Sequence, residues 1–149
     1  MKKKKSKTLL GRSDIVNFPL LELEEIPIKV DSGAYTSSFH CHSIVEKEHV
    51  LICEFLDPLH HKYVERKFTF DEYKQKNVKS SNGKIEKRFF IKTKISIFKK
   101  RYSIDLSLTE RGSMRFPVLI GRKFLSRKFV VDTSKANLSF DGIIVNIKI

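Results

Sequence analysis

The chain is short of the residues that build stapled or membrane-spanning proteins. It holds two cysteines, Cys41 and Cys53, and no tryptophan among 149 residues. Two cysteines in a chain of this size make no disulfide framework, so they are read as small, reduced and half-buried. No apolar run approaches the roughly 20 residues of a membrane span. The start, "MKKKKSK", is followed only by "TLL" before Gly11-Arg12-Ser13-Asp14, too little for a signal-peptide apolar segment. A cytoplasmic protein with no membrane partner is the expectation. Nucleotide and zinc signatures are missing too. There is no Gly-x-x-x-x-Gly-Lys-Ser/Thr loop to cradle phosphates and no His-Glu-x-x-His pair to hold a metal.

Acids are scarce as well: 17 Asp and Glu stand against 30 Lys and Arg, a formal charge of +13. Such a surface draws polyanions, which admits nucleic acid, anionic lipid and acidic peptide as partners. The run Lys2 to Lys5 reads as a solvated tail, so residues 1–8 are expected to be disordered and residues 9–149 to form one domain. At 40% hydrophobic the chain can fill a single core.

Helical periodicity is hard to find, while period-two alternation is almost everywhere. Ile26, Ile28 and Val30 share one face; Leu51, Cys53 and Phe55 share another; Val64, Phe68 and Phe70 make a third. The longest case is "IEKRFFIKTKISIF", from Ile85 to Phe98, with Ile85, Phe89, Ile91, Ile95 and Ile97 on one side, interrupted by Lys87 and Thr93, and Lys and Arg mostly opposite. "KKR" then reverses the chain into Tyr102, Ile104, Leu106 and Leu108. Asn82-Gly83 is a second hairpin signal, since both residues accept positive φ. "GIIVNIKI" reads as a last strand, and "GRKFLSRK", Gly121 to Lys128, as one short helix. Short strands separated by turns indicate an all-β sandwich or a small closed barrel with at most one or two short helices.

Within that frame, "IPIKVDSGAYTSSF" drives a buried strand into Asp31-Ser32-Gly33-Ala34. Asp, Ser and Gly form turns on their own account, so a plain turn is one reading. A second segment stands 85 to 90 residues on. It is "FPVLIGRKFL", with Val118, Leu119 and Ile120 ahead of Gly121-Arg122. Together the two halves resemble the retropepsin-type aspartic proteases. In the same order, "LGRSDIVNFP", "IKVDSGAYTSSFH", "EKRFFIKT", "IDLSLTERGSMRFPVLIGRKFL" and "FVVDTSK" resemble the RimK-associated family labelled "ATP-dependent zinc protease". With neither an ATP loop nor a zinc motif in the chain, no cofactor and no metal are expected despite that label.

The resemblance implies a closed retropepsin-like β-barrel and an aspartic endopeptidase. Asp31 is then the catalytic carboxylate, and Ser32 supplies a hydroxyl bonded across to the other loop. Gly33 and Ala34 allow close approach, and Ile120, Gly121 and Arg122 pack behind. Two carboxylates about 3 Å apart cannot both ionise, so one serves as base and the other as acid. The second carboxylate is expected from a homodimer or from Asp132 of "FVVDTS" in the same chain. Many retropepsins place an acid shortly after the Asp-Thr-Gly-Ala motif to pair with the arginine; here Tyr35 and Thr36 stand there. Arg122 is therefore expected to pair elsewhere, with Glu110 or Asp132 as candidates. The expected substrate is an acidic, glutamate-rich protein tail, such as the one a RimK-type ligase adds to a ribosomal protein.

Two rival classes stay open. One is a non-catalytic basic barrel that binds acidic tails or RNA, since aromatics interleave with basic residues in "KRFFIKTK" and "FKKRY". Phe89 fits a core equally well, and no RNP or KH signature is present. The other is a zinc-dependent hydrolase using His40 and His42, which strand alternation puts on one face. His60-His61 adds no ligand at good spacing, and solvent-facing histidines are the plainer reading.

Overall fold

In the computed structural model, residues 6–79, 83–110 and 115–148 are described. Among these residues there are twelve strands: β1 (Ser6–Leu10), β2 (Ser13–Phe18), β3 (Leu23–Val30), β4 (Ser37–Lys47), β5 (Val50–Phe55) and β6 (Phe68–Phe70) come first. Then follow β7 (Lys74–Lys79), β8 (Ile85–Ile97), β9 (Lys100–Thr109), β10 (Val118–Ile120), β11 (Phe129–Val131) and β12 (Asn146–Lys148). Among the described residues helix is confined to a 3-10 turn at Pro19–Leu21 and to α1, Arg122–Leu125. The expected all-β class holds.

The strands run β10, β3, β2, β8, β9, β4, and β4 pairs back onto β10, so the sheet closes into a six-strand barrel. Closure pairs both edges of each of these six strands over part of their length. β5 and β6 extend from β4, and β7 forms a hairpin with β8. A separate sheet, β11-β1-β12, lies beside this barrel in the strand order.

Alternation decides what fills the interior. Ile26, Ile28, Ile95, Ile104 and Leu106 are all buried, with the rings of Phe18, Phe39 and Phe55 following one another at 5.0 Å centroid spacing. A second aromatic group, Tyr102, Phe124 and Phe129, packs under α1 with centroids 5.7 to 6.1 Å apart. Such tilted pairs contribute about 0.5–1.5 kcal/mol beyond their area.

Several local expectations need correction. Ser6, Lys7 and Thr8, assigned to a tail, lie in β1, which pairs with β11 and β12. Among the described residues the last strand covers Asn146–Lys148, Ile149 lying outside them; Ile143, Ile144 and Val145 precede it half-exposed. Val64 lies outside any strand and is 60% exposed, so that apolar face shrinks to Phe68 and Phe70. The helix is one turn, because the Ser126 amide bonds Arg122 O and the chain then leaves the helical region. The β8–β9 reversal occurs at Phe98-Lys99, one residue before "KKR", with Ile97 facing Lys100. Both turn residues have positive φ, 51° and 60°, the geometry a two-residue hairpin needs even without Asn or Gly. Glu48-His49 repeats the device between β4 and β5. The hairpin expected at Asn82-Gly83 joins β7 to β8, and Gly83 has φ +83°; Asn82 itself is outside the described residues.

Candidate active site

The loop holding Asp31 exists because β3 and β4 do not pair with each other. β10 runs between them, parallel to β3 (Val118 opposite Ile28) and antiparallel to β4 (Val118 opposite Phe39). Residues 31–36 must therefore cross over the end of β10. The segment 121–123 that follows β10 is then placed against that crossing.

The contacts are specific. The Asp31 amide donates to Ile120 O at 2.8 Å, and the Ala34 amide to Asp31 O at 3.2 Å. Gly33 N–H donates to Asp31 Oδ1 at 3.1 Å, which fixes one carboxylate oxygen from within the loop. The Arg122 amide donates to Ala34 O at 2.8 Å and the Lys123 amide to Tyr35 O at 2.9 Å. Asp31 is half-buried, while Ser32 and Gly33 are exposed. Ser37, buried at the start of β4, accepts the Gly121 N–H on its Oγ at 3.0 Å.

Glycine is required at position 121 by contact. A Cβ there would sit 2.6 Å from Tyr35 O and 2.8 Å from Thr36 C, both backbone atoms. At Gly33 the demand is milder, since a Cβ would lie 3.3 Å from Asp31 Oδ1. Arg122 departs from expectation. Its guanidinium donates to the Ser32 carbonyl at 2.9 Å and lies 5.9 Å from the centre of the Tyr35 ring, with neither Glu110 nor Asp132 as partner. With Tyr35 in place of an acid, a carbonyl and an aromatic face satisfy the charge instead. The structure thus brings Asp31, Ser32, Gly33, Ala34, Ile120, Gly121 and Arg122 into one knot.

A family model described as the retropepsin-like aspartic endopeptidase RimB matches residues 9–140. The chain belongs to the RimB-like family. Among curated relatives, a probable alpha-L-glutamate ligase of Shewanella halifaxensis is 34% identical over 135 residues, covering 88% of this chain and 30% of the relative. One of Desulfotalea psychrophila is 29% identical over 133 residues, covering 85% and 28%. The chain thus spans less than a third of the length of the curated relatives it matches. A crystal structure of a Legionella pneumophila protein of unknown function superposes with TM-score 0.61 at 22% identity, covering 88% of this chain and 97% of that one. That likeness concerns the fold.

Elsewhere in this RimB-like chain the remaining candidates sit apart. Asp132 follows β11 and folds onto its own loop, its Oδ1 accepting the Ser134 amide at 2.9 Å and the Ser134 hydroxyl at 2.6 Å. The Ser134 hydroxyl and amide hold that carboxyl below its ordinary range. His40 and His42 differ in setting. A bulge between Cys41 and Ser43 breaks the alternation, leaving His40 buried and His42 exposed against Tyr63. His40 Nε2 lies 4.0 Å from Asp57 Oδ2. Among the described residues no three His, Cys, Asp or Glu side chains are grouped to hold a metal ion. Cys41 and Cys53 are both free and fully buried, deeper than expected. Burial, then its neighbour Cys53, pushes the Cys41 thiol well up, which makes it a poor nucleophile.

Three residues escaped the sequence reading. Ser37 and Lys123 tie the loop to the segment after β10. Asp14 is buried and accepts the amides of Ile15, Ser139 and Phe140 at 2.8 to 3.1 Å, clasping the segment ahead of β12. Burial raises its carboxyl above the ordinary value despite those three donors.

Proposed function

We propose that this chain is an aspartic endopeptidase in which Asp31 supplies one of two paired carboxylates. The observation that carries the reading is the knot itself. A half-buried Asp31 stands at a strand end, braced by Gly33 and by the Ile120–Lys123 segment. That is the preorganisation general acid–base catalysis demands.

The second carboxylate is Asp31 of a second copy, related by a two-fold axis; the turned-in Asp132 is a poor alternative. Water lies between the pair, and the ionised carboxylate takes a proton as the oxygen attacks the peptide carbonyl. The protonated carboxyl gives its proton to the carbonyl oxygen. The tetrahedral adduct then collapses: the second carboxylate takes a proton from one of its hydroxyls, the C–N bond breaks, and the departing nitrogen receives the proton that the first carboxyl took from water. The titration belongs to the pair.

The substrate is an acidic, glutamate-rich tail, of the kind a RimK-type ligase adds to a ribosomal protein. Two facts support this: the +13 charge, and relatives named as glutamate ligases, of which this chain matches a segment. A hydrolase that trims glutamate suits a partner that adds it. Replacing Asp31→Asn should abolish cleavage of a glutamate-rich peptide while the thermal midpoint stays within a few degrees. Wild-type turnover by the variant would end the assignment.

A further inference from the structure

The β7–β8 hairpin carries lysines on one outer face as a matter of register, and β9 brings Asp105 to the same face. Lys74 stands opposite Phe90, and Lys92 opposite Asp105. Alternation points these side chains outward while Ile91, Thr93, Ile104 and Leu106 are buried. Lys76, two residues beyond Lys74, places its Nζ 5.2 Å from the centre of the Phe90 ring. From the opposite side α1 sends in Lys123, whose Nζ is 2.7 Å from Asp105 Oδ2; Lys92 Nζ is 3.9 Å from Oδ1. Between them lies a half-open cavity of about 440 Å³. Exposed Asp71 and Glu72, on the turn into β7, and Tyr73 also line it.

Charge inside this cavity is arranged unequally. Asp105 already has Lys123 and Lys92. Burial pushes its carboxyl up, but the Lys123 hydrogen bond and the charges of Lys123, Lys92 and Lys74 outweigh that and hold it below the ordinary range. Lys74 and Lys76 are in no ion pair among the described residues. Lys74 acts on Asp105 only through its charge and Lys76 rests only against the Phe90 ring, so both ammonium groups can take a visiting carboxylate. The cavity is also joined to the loop above: the Lys123 amide donates to Tyr35 O, four residues after Asp31.

We propose that this cavity is a recognition site for the carboxylates of an acidic peptide, with Lys74 and Lys76 as the donors and Phe90 as an apolar floor. It rests on the endopeptidase reading and locates the substrate's acidic side chains beside the loop of Asp31. Lys123, held by Asp105, is the fixed wall between cavity and loop. The volume is within the range of specific ligand pockets and accommodates adjacent acidic residues. Asp71 and Glu72 act as a selectivity element, disfavouring carboxylates that do not reach the two lysines.

The test uses the full chain carrying Asp31→Asn, so binding is read without cleavage. Binding of an oligoglutamate peptide is measured by calorimetry, with and without Lys74→Gln and Lys76→Gln together. The pair is expected to weaken the peptide about tenfold, the equivalent of about 1.4 kcal/mol. With Asp31 intact, the ratio of kcat/KM for a glutamate-rich over a neutral peptide of equal length should fall by a similar factor. Both lysines are exposed, so an unchanged melting curve will show that folding is intact. A change below about twofold in binding and in the ratio overturns the site, as does a variant that loses single-stranded RNA binding while keeping the peptide. Should the wild-type chain cleave no peptide, the endopeptidase reading fails, and the binding measurement still judges the cavity by itself.

Discussion

Substituting Gly121→Ala probes the loop's support at its tightest point. The added methyl carbon would stand 2.6 Å from Tyr35 O and 2.8 Å from the carbonyl carbons of Tyr35 and Thr36, well inside ordinary contact. These are backbone atoms, and Tyr35 O already accepts the Lys123 amide. Relief therefore means moving the loop or β10 by several tenths of an ångström, which stretches the Gly121–Ser37 bond and its neighbours. Overpacking costs about 1–3 kcal/mol, and loss of one such hydrogen bond adds about 1 kcal/mol. With an unfolding entropy of about 2.1 cal/mol/K per residue, a loss of 2–4 kcal/mol lowers the melting midpoint of this chain by about 6–12 °C. Thermal unfolding followed by circular dichroism reads the shift directly. Peptidase activity should fall further than stability explains, because Asp31 moves with the loop. A midpoint within about 1 °C of wild type, with full activity, would refute the contact argument.

Three other substitutions or conditions test separate parts of the structure. Asp14→Ala leaves three amides without their acceptor and should cost about 2–3 kcal/mol in chemical denaturation; a loss under about 0.5 kcal/mol would mean the clasp is not structural. Asp105 has a depressed carboxyl, so its stabilisation is present above the ordinary carboxylate pKa and is lost as pH falls through the folded value. Asp105→Asn should accordingly flatten the acid limb of the stability profile. The effect is about half a kcal/mol or less, because the pair with Lys123 is partly solvated, and an unchanged limb would contradict the assignment. Cleavage of a glutamate-rich peptide should weaken steeply as salt shortens the screening length to about 8 Å near 0.15 M, and a neutral peptide should respond far less. Equal salt dependence for both removes electrostatics from substrate choice.

The barrel was legible wherever alternation was long. Ile85 to Ile97 and Tyr102 to Leu108 announced β8 and β9, because one apolar face repeated over many residues leaves a single register. Asp31-Ser32-Gly33-Ala34 and Val118 to Arg122 announced the loop and its brace through their joint resemblance to the retropepsin-type proteases; alone, Asp-Ser-Gly reads as a turn. Short elements were not legible. β1 and β11 are stabilised by each other rather than by their own pattern, and Ile143 to Val145 look strand-like yet precede β12, with the Val145 carbonyl accepting the Leu9 amide of β1. Turns at Glu48-His49 and Phe98-Lys99 carry no Gly or Asn, so their positive φ was invisible in the sequence. The bulge that separates His40 from His42 gave no signal either. Asp14, Ser37 and Lys123 were missed because their importance lies in burial and partners, which are tertiary facts. For Ser37 a faint signal existed: a small hydroxyl two residues before the fully buried Phe39, on the same face of the strand.

The central claim is a carboxylate pair shared between two copies of Asp31, since each chain offers one Asp-Ser-Gly and pairing requires about 3 Å between acids. Such an interface is isologous, the same patch serving both partners. Mixing wild-type chains with Asp31→Ala chains at fixed total concentration, after equilibration, tests it most directly. Shared catalysis requires cleavage of a glutamate-rich peptide to fall as the square of the wild-type fraction. Activity strictly linear in that fraction, with light scattering giving a monomer at the same concentration, would contradict the shared pair.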